Sequence, residues 1–249
     1  MISLSYRTIK IKHFILSDKR VCFVPMTTAT QKHILAEQTA KSWFEAVEDS
    51  GLLRPGKSER ALAEEIVALA RDAFGITRFW HKNIVRSGPN TLLTYSQDPP
   101  DRIIRQNDIL FLDFGPIVQG YEADLGRTYV LGNDPLKQKL KNDVQTAWQE
   151  AKAWYDKQDT LTGAACFSYI SDLAKQYGWE PACEIAGHII GPWPHEQAGP
   201  GNWALDIHPD NHNDILQPDN EGNRRHWIME IHFVDNINKI GAFFEQLVN

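Results

Sequence analysis

Five ionisable side chains stand in apolar surroundings: Asp113 in FLDFG, Asp124 in YEADLG, His188 in IAGHIIG, Glu230 in WIMEIHF and Glu245 in AFFEQLV. Taking a charged carboxylate out of water costs on the order of several kcal/mol unless a partner compensates it. Each residue read singly has an ordinary explanation, as a turn, a cap or a solvated terminus. Taken together, carboxylates of this number in one fold need positive charge, and the basic residue within the stretch Phe111–Gly132 that carries the first two is Arg127. A pair of divalent cations supplies that charge. A carboxylate-rich set with one imidazole favours Mn, Co or Fe(II), with Zn as an alternative. Two such ions activate a water and polarise a carbonyl oxygen, which is the chemistry of hydrolysis.

The chain must bring these residues to one point. DILFLDF and DLGRTYVLG read as two strands joined through Gly115–Gly120, a hairpin that carries Asp113 and Asp124 to the same end. A helix is expected over Thr30–Asp49, with Ile34, Leu35, Trp43, Phe44 and Val47 on its apolar face. Ser58 caps a second helix through Phe74, with Leu62, Ile66, Leu69 and Ala73 on one side and Gly75 as its terminator. Extended pieces follow at Asn83–Arg86 and Thr91–Thr94. After Asn133-Asp134-Pro135 the order returns: helices over Leu136–Lys157 and Gly163–Tyr177, then extended pieces at Ile185–Ile190, Trp227–Val234 and Phe243–Val248. Two helices followed by strands, twice over, indicate an α/β (α+β) domain of two halves, although no sequence repeat accompanies the order. The polar stretch Glu196–Arg225 is long for a loop in a compact domain, and such loops are commonly functional.

Bulk properties exclude several classes. A net charge of −6 over 249 residues argues against a nucleic-acid partner held by a basic face. No apolar run has the length of a membrane span. Three scattered cysteines, Cys22, Cys166 and Cys183, form no CxxC or zinc pattern, which suits a reducing, cytoplasmic setting. The first residues are basic but lack a sustained apolar segment and a cleavage site, so they do not read as a signal peptide. Residues 1–25 read as an extension of uncertain structure, with TIKIKHFIL as an alternative edge strand and Met26 as an alternative start. The catalytic domain is then expected over 26–249.

The order Asp, Asp, His, Glu, Glu, with ten residues between the aspartates, is similar to that of the pita-bread metallopeptidases, the family of methionine aminopeptidase, aminopeptidase P and prolidase. DILFLDFGPIVQGYEADLGRTYVLG resembles the family's first ligand hairpin, and GHIIGPWPHE resembles its GHxxG…HE segment, which adds His195. SGPNT at Ser87–Thr91 and the short gap from Glu230 to Glu245 look like the aminopeptidase P–prolidase branch. The resemblance covers about Met26 to Asn249. It implies a single pita-bread (creatinase/aminopeptidase-like) domain of two pseudo-symmetric halves, with helices outside a curved, mainly antiparallel sheet. It implies that Asp113 binds one metal, that Asp124 and Glu245 bridge both, and that His188 and Glu230 bind the second. Glu230 would also shuttle the proton and His195 would hydrogen-bond the substrate carbonyl. The implied function is a dinuclear exopeptidase, an Xaa-Pro aminopeptidase or dipeptidase acting on a short peptide through a metal-bridging hydroxide. Its cofactors are two divalent ions, Mn or Co first, then Zn or Fe; a homodimer is compatible. A non-catalytic peptide-binding protein on the same fold, or a methionine aminopeptidase-like activity, are the alternatives.

The chain also departs from the pattern. Tyr95 stands where the family has a histidine before the hairpin, and His81 in FWHKN is a candidate to compensate. MEIHFVD replaces the family's Glu-Pro-Gly, and FFEQ replaces R-x-E-D. The large N-terminal domain of aminopeptidase P and prolidase has no counterpart here, which makes Glu196–Arg225 the candidate lid. Trp193, Trp203 and Trp227 flank it as candidate walls of a proline pocket. His208, His212, Arg224 and Arg225 are candidates for holding a substrate carboxylate.

Overall fold

The computed structural model describes residues 29–249, so the extension expected over residues 1–25, its edge-strand alternative, the Met26 start and Cys22 lie outside the described residues. Two helices come first, α1 (Ala29–Asp49) and α2 (Glu59–Phe74). Ser58 Oγ accepts from Ala61 N at the start of α2, and Gly75, at a φ of 67°, ends it by returning its N–H to Ala70 O and Arg71 O. The buried stripe of α1 is His33, Ala36, Glu37, Ala40, Trp43, Phe44 and Val47. Ile34, expected on that stripe, is 45% exposed, because one residue past His33 turns it ~100° away from the core. On α2 the stripe is Leu62, Ile66 and Ala70, and Ala73 lies exposed beyond the last packed turn.

The first half continues with β1 (Ile84–Ser87), β2 (Ile109–Phe114), β3 (Ile117–Val118), β4 (Tyr121–Glu122) and β5 (Leu125–Val130). Where an extended piece was expected over Thr91–Thr94, Gly88–Leu92 is a 3-10 turn with proline in its first turn. Buried Glu59 holds that turn: its carboxylate accepts from Ser87 N at 2.6 Å, Ser87 Oγ at 2.8 Å and Asn90 Nδ2 at 2.8 Å. The second half contains α3 (Pro135–Tyr155), capped by Asp134, and α4 (Gly163–Tyr177), capped by Thr162 and ended by Gly178. Then come β6 (Glu180–Pro181), β7 (Ile189–Ile190), β8 (His226–Asp235) and β9 (Ile240–Leu247). The piece expected over Ile185–Ile190 shortens to β7, because Gly187 takes a φ of 135° and breaks the regular ladder.

The main sheet has seven strands, ordered β1-β2-β5-β9-β8-β6 with β7 also on β8, and every pairing in it is antiparallel. Side chains alternate across it. One face of the first half, with Leu110, Leu112 and Phe114, packs with Trp43, Leu62 and Ile66 of α1 and α2. The matching face of the second half, with Trp227, Met229, Phe233 and Phe244, packs with Leu140, Trp148 and Leu173 of α3 and α4. Each of these large side chains contributes about 1.5–3 kcal/mol by leaving water. The two cores are the two halves expected from the element order, and they meet where β5 pairs with β9.

Candidate metal centre

Strand register assembles the site. Ile84 lies opposite Asp113, Asp113 opposite Gly126, Gly126 opposite Glu245, and Glu245 opposite Glu230, a row across β1, β2, β5, β9 and β8. Their neighbours Leu112, Phe114, Met229 and Phe244 fill the two cores, so the acidic residues must occupy the other face. Gly126 leaves a gap in this row; a Cβ there would lie 2.4 Å from the Phe243 ring and 2.9 Å from Glu245 Cβ. Asp124 enters from the β4–β5 junction and His188 from the residue before β7.

Asp124 is the centre of the cluster, and its two oxygens face different partners. His81 Nε2 lies 3.0 Å from Asp124 Oδ1 and 3.6 Å from Asp113 Oδ1. His188 Nε2 lies 3.4 Å from Asp124 Oδ2 and 3.8 Å from Glu245 Oε1. These are two groups of donors, His81–Asp113–Asp124 and Asp124–His188–Glu245, with donor atoms in each within 4.8 Å of one another. Among the described residues no donor reaches buried Glu245 Oε2. Burial drives the Glu245 carboxyl well above its ordinary range, with Asp124 and Asp113 adding repulsion. Burial also pushes Asp113 up to about 7 and Glu230 up to about 8. Burial opposes charge on both imidazoles, yet the adjoining carboxylates lift His81 and His188 to about 9. Burial opposes charge on Asp124 as well, and the two imidazoles outweigh it and hold that carboxyl below its usual range. A crowd of carboxylates with an orphan oxygen and imidazole nitrogens turned inward fits a pair of divalent cations.

Arg127 does not pair with either aspartate. Its Nη1 donates to Gly126 O at 2.8 Å and Glu245 O at 2.7 Å, its Nη2 donates to Gln246 Oε1, and the guanidinium lies 4.0 Å from the Phe244 ring centroid. Arg127 and Gln246 thus brace the strand that carries Glu245, where FFEQ departs from R-x-E-D. The other departure, MEIHFVD, lets β8 run on through His232. Its Nε2–H donates to Thr91 O at 2.7 Å, while Thr91 Oγ1 accepts from Gly241 N at 2.7 Å. A Cβ on Gly241 would lie 2.1 Å from Thr91 O, so this contact requires glycine. The SGPNT turn is thereby tied under β8 and β9.

His195 is held by Glu122, a residue sequence reasoning passed over. The buried carboxylate accepts from Gly191 N at 3.0 Å, His195 N at 3.1 Å and His195 Nδ1 at 2.7 Å. That leaves His195 Nε2 as the ring atom toward the cavity, with Gln197 Nε2 3.5 Å from it. Trp80, also passed over, packs its ring against three histidines, with centroids 4.4 Å from His81, 5.3 Å from His188 and 5.4 Å from His195. Its Nε1 donates to Ala123 O at 3.1 Å. The available signal was compositional: Glu122 is a further carboxylate inside a β-prone run, and Trp80 directly precedes His81.

A cavity of about 640 Å³ contains Asp113, Asp124, His188, His195, Glu230 and Glu245 in its wall, together with His81, Tyr95, Trp203 and His208. Tyr95 is half exposed and meets the His81 ring at 5.9 Å, so it rims the cavity rather than replacing a histidine at its floor. Trp203 and His208 stack with centroids 3.8 Å apart. Two expected walls fall elsewhere. Trp227 is buried in the second core because it alternates with Glu230's face, and Trp193 points outward, 42% exposed, with the Arg78 guanidinium 4.0 Å from its ring centroid. His212 and Arg224 are exposed, and Arg225 is bonded to Pro218 O and Glu196, so none of the three lines the cavity. Its guanidinium is Arg86, buried and donating to Leu93 O, Thr94 O and Gln97 O.

The sequence profile described as metallopeptidase family M24 matches residues 32–248. An Xaa-Pro dipeptidase of Pyrococcus horikoshii is 27% identical over 157 residues, which are 63% of this chain and 43% of that protein. A methionine aminopeptidase of Aquifex aeolicus is 30% identical over 111 residues, 43% of this chain and 41% of the relative. The crystal structure of a prolidase from Thermococcus sibiricus superposes with a TM-score of 0.70 at 24% identity, covering 88% of this chain and 55% of that one. The chain therefore spans less than half the length of these curated relatives, and the likeness to the prolidase structure is one of fold.

Proposed function

Because the chain belongs to metallopeptidase family M24, whose profile covers residues 32–248, we propose that it is a dinuclear-metal-dependent exopeptidase acting on short peptides with proline in second position. Its fold is the pita-bread fold expected from the sequence. The observation that carries the reading is the sharing of Asp124, with one carboxylate oxygen turned to each donor group. Asp113, Asp124, His188, Glu230 and Glu245 would hold the ions, which supply Lewis acidity for a carbonyl and easy deprotonation of water. Manganese and cobalt suit this donor set first.

The chain's own residues perform the remaining steps. Glu230, in the cavity wall, takes a proton from the attacking water on its carboxylate and passes it to the departing amine. With both ring nitrogens protonated, His195 gives Nδ1–H to Glu122, which holds it in place, and donates Nε2–H to the substrate carbonyl. Trp80 and Trp203 give the cavity apolar wall for a proline ring, and the Xaa-Pro dipeptidase relative supports that substrate class. The test is metal analysis coupled to a peptide panel. Protein reconstituted with Mn²⁺ or Co²⁺ is expected to carry about two ions per chain and to cleave Xaa-Pro peptides over Met-Xaa and general dipeptides. Full metal loading with no cleavage across the panel would remove the catalytic reading and leave a peptide-binding protein on this fold.

A further inference from the structure

His81 and His188 are placed alike. Each ring commits Nδ1–H to a backbone carbonyl one residue on, His81 to Lys82 O at 2.8 Å and His188 to Ile189 O at 2.9 Å. A carbonyl oxygen only accepts, so Nδ1 is protonated in both, and Nε2 is the atom free to bind. This is how metal-ligating histidines are usually oriented, with the outer nitrogen bonded to a carbonyl or carboxylate. The two Nε2 atoms approach Asp124 from its two sides, His81 at Oδ1 and His188 at Oδ2.

The spacing suits ligation as well as ion pairing. An ion ~2.1 Å from each donor sets neighbouring donors ~3.0 Å apart in octahedral geometry and ~3.4 Å apart in tetrahedral geometry. His81 Nε2 lies 3.0 Å from Asp124 Oδ1 and 3.6 Å from Asp113 Oδ1. The ring is also locked. A Cβ on Gly115 would lie 2.2 Å from His81 Cδ2 and 2.4 Å from Nε2, so glycine there admits the imidazole, and Trp80 packs across it at 81°.

We propose that His81 is a sixth protein ligand of the centre, binding through Nε2 the ion held by Asp113, so that each ion of the pair carries one imidazole. This rests on the dinuclear reading above. It makes the first ion's donor set softer than the carboxylates alone would, favouring cobalt over manganese at that position.

Metal-free protein titrated with Co²⁺ tests it, in the wild type and in His81→Gln and His81→Ala, with His188→Ala for comparison. Bound cobalt is measured by dialysis and elemental analysis, and ligating imidazoles are counted by NMR from the exchangeable, paramagnetically shifted Nδ1–H signals. The wild type is expected to bind two ions with two such signals. Both His81 variants are expected to lose one signal and to bind one ion at least ~10-fold more weakly, while His188→Ala loses the other signal. Wild-type protein that binds two ions while His81→Gln also binds two, with the same affinities and signals, overturns the ligand and leaves the dinuclear centre standing. Wild-type protein that binds no cobalt overturns the dinuclear reading and the ligand with it.

Discussion

Replacing Glu122 by glutamine tests whether His195 is positioned by a buried charge. The native carboxylate faces three N–H donors, Gly191 N and His195 Nδ1 at Oε2 and His195 N at Oε1. An amide has one accepting oxygen. In its better orientation it keeps the two donors at the Oε2 position and turns its own NH₂ against His195 N. The loss is then one bond to a charged acceptor, about 1.5–3 kcal/mol, together with the weakening of the other two as charge disappears. A total of roughly 2–4 kcal/mol lowers the melting temperature by about 4–16 °C in a chain of this size. Metal uptake should not change, because Glu122 belongs to neither donor group. The turnover number of metal-loaded enzyme on an Xaa-Pro dipeptide should fall about 10–100-fold as the ring loses its fixed direction. The assay pairs Glu122→Gln and His195→Gln in a double-mutant cycle. If Glu122 acts through His195, the double variant loses little more turnover than His195→Gln alone. Fully additive losses, or an unchanged melting temperature and turnover in Glu122→Gln, would refute the reasoning.

Three further outcomes follow from the same geometry. Asp124→Ala removes the oxygens shared by both donor groups, so metal content should fall from about two ions to less than one and activity should vanish, while circular dichroism of the metal-free protein stays native; retained activity would sink the site assignment. His33 is buried, its Nδ1 has no partner among the described residues, and burial lowers it to about 4 from 6.5. The unfolded chain therefore takes up a proton at higher pH than the folded one, and stability present above pH 6.5 is lost as pH falls toward 4, by roughly 3 kcal/mol. Urea midpoints measured across that window should slope less in His33→Phe, and identical slopes would contradict the assignment. Gly187→Ala would place a Cβ 2.0 Å from Ile228 O at a φ of 135°, and a loss above about 4 kcal/mol should appear as insoluble protein or a collapsed melting temperature.

The sequence exposed the candidate donors because charge inside apolar, β-prone runs is costly, and that cost is visible without coordinates at Asp113, Asp124, Glu230 and Glu245. The start of the second helix was equally legible, since Ser58 caps it where a capping side chain precedes an apolar period. Trp227 was misplaced through neglect of alternation: counting by twos from Met229 and Ile231 assigns it to the core. The proposed role of His81 as a ligand was out of reach for a different reason. It lies in an irregular segment, where ring direction depends on a glycine 34 positions later and on Trp80 beside it. Glu122 was hidden likewise, because its partners at Gly191 and His195 are 69 and 73 residues away.

The join between β5 and β9 is stitched partly by side chains. Thr128 Oγ1 both donates to Phe243 O and accepts from Phe243 N, each at 2.8 Å, and Arg127 reaches Glu245 O. Asp113 and Asp124 stand on one side of this join, and Glu245, Glu230 and His188 on the other. His81, Asp113 and Asp124 lie in the first half, whereas the group Asp124–His188–Glu245 draws on both, so an ion in that shared group would act as a rivet across the join. Parting the two halves at this join would dismantle the shared group while leaving both cores intact, which would make metal occupancy of that group a gauge of whether the join holds.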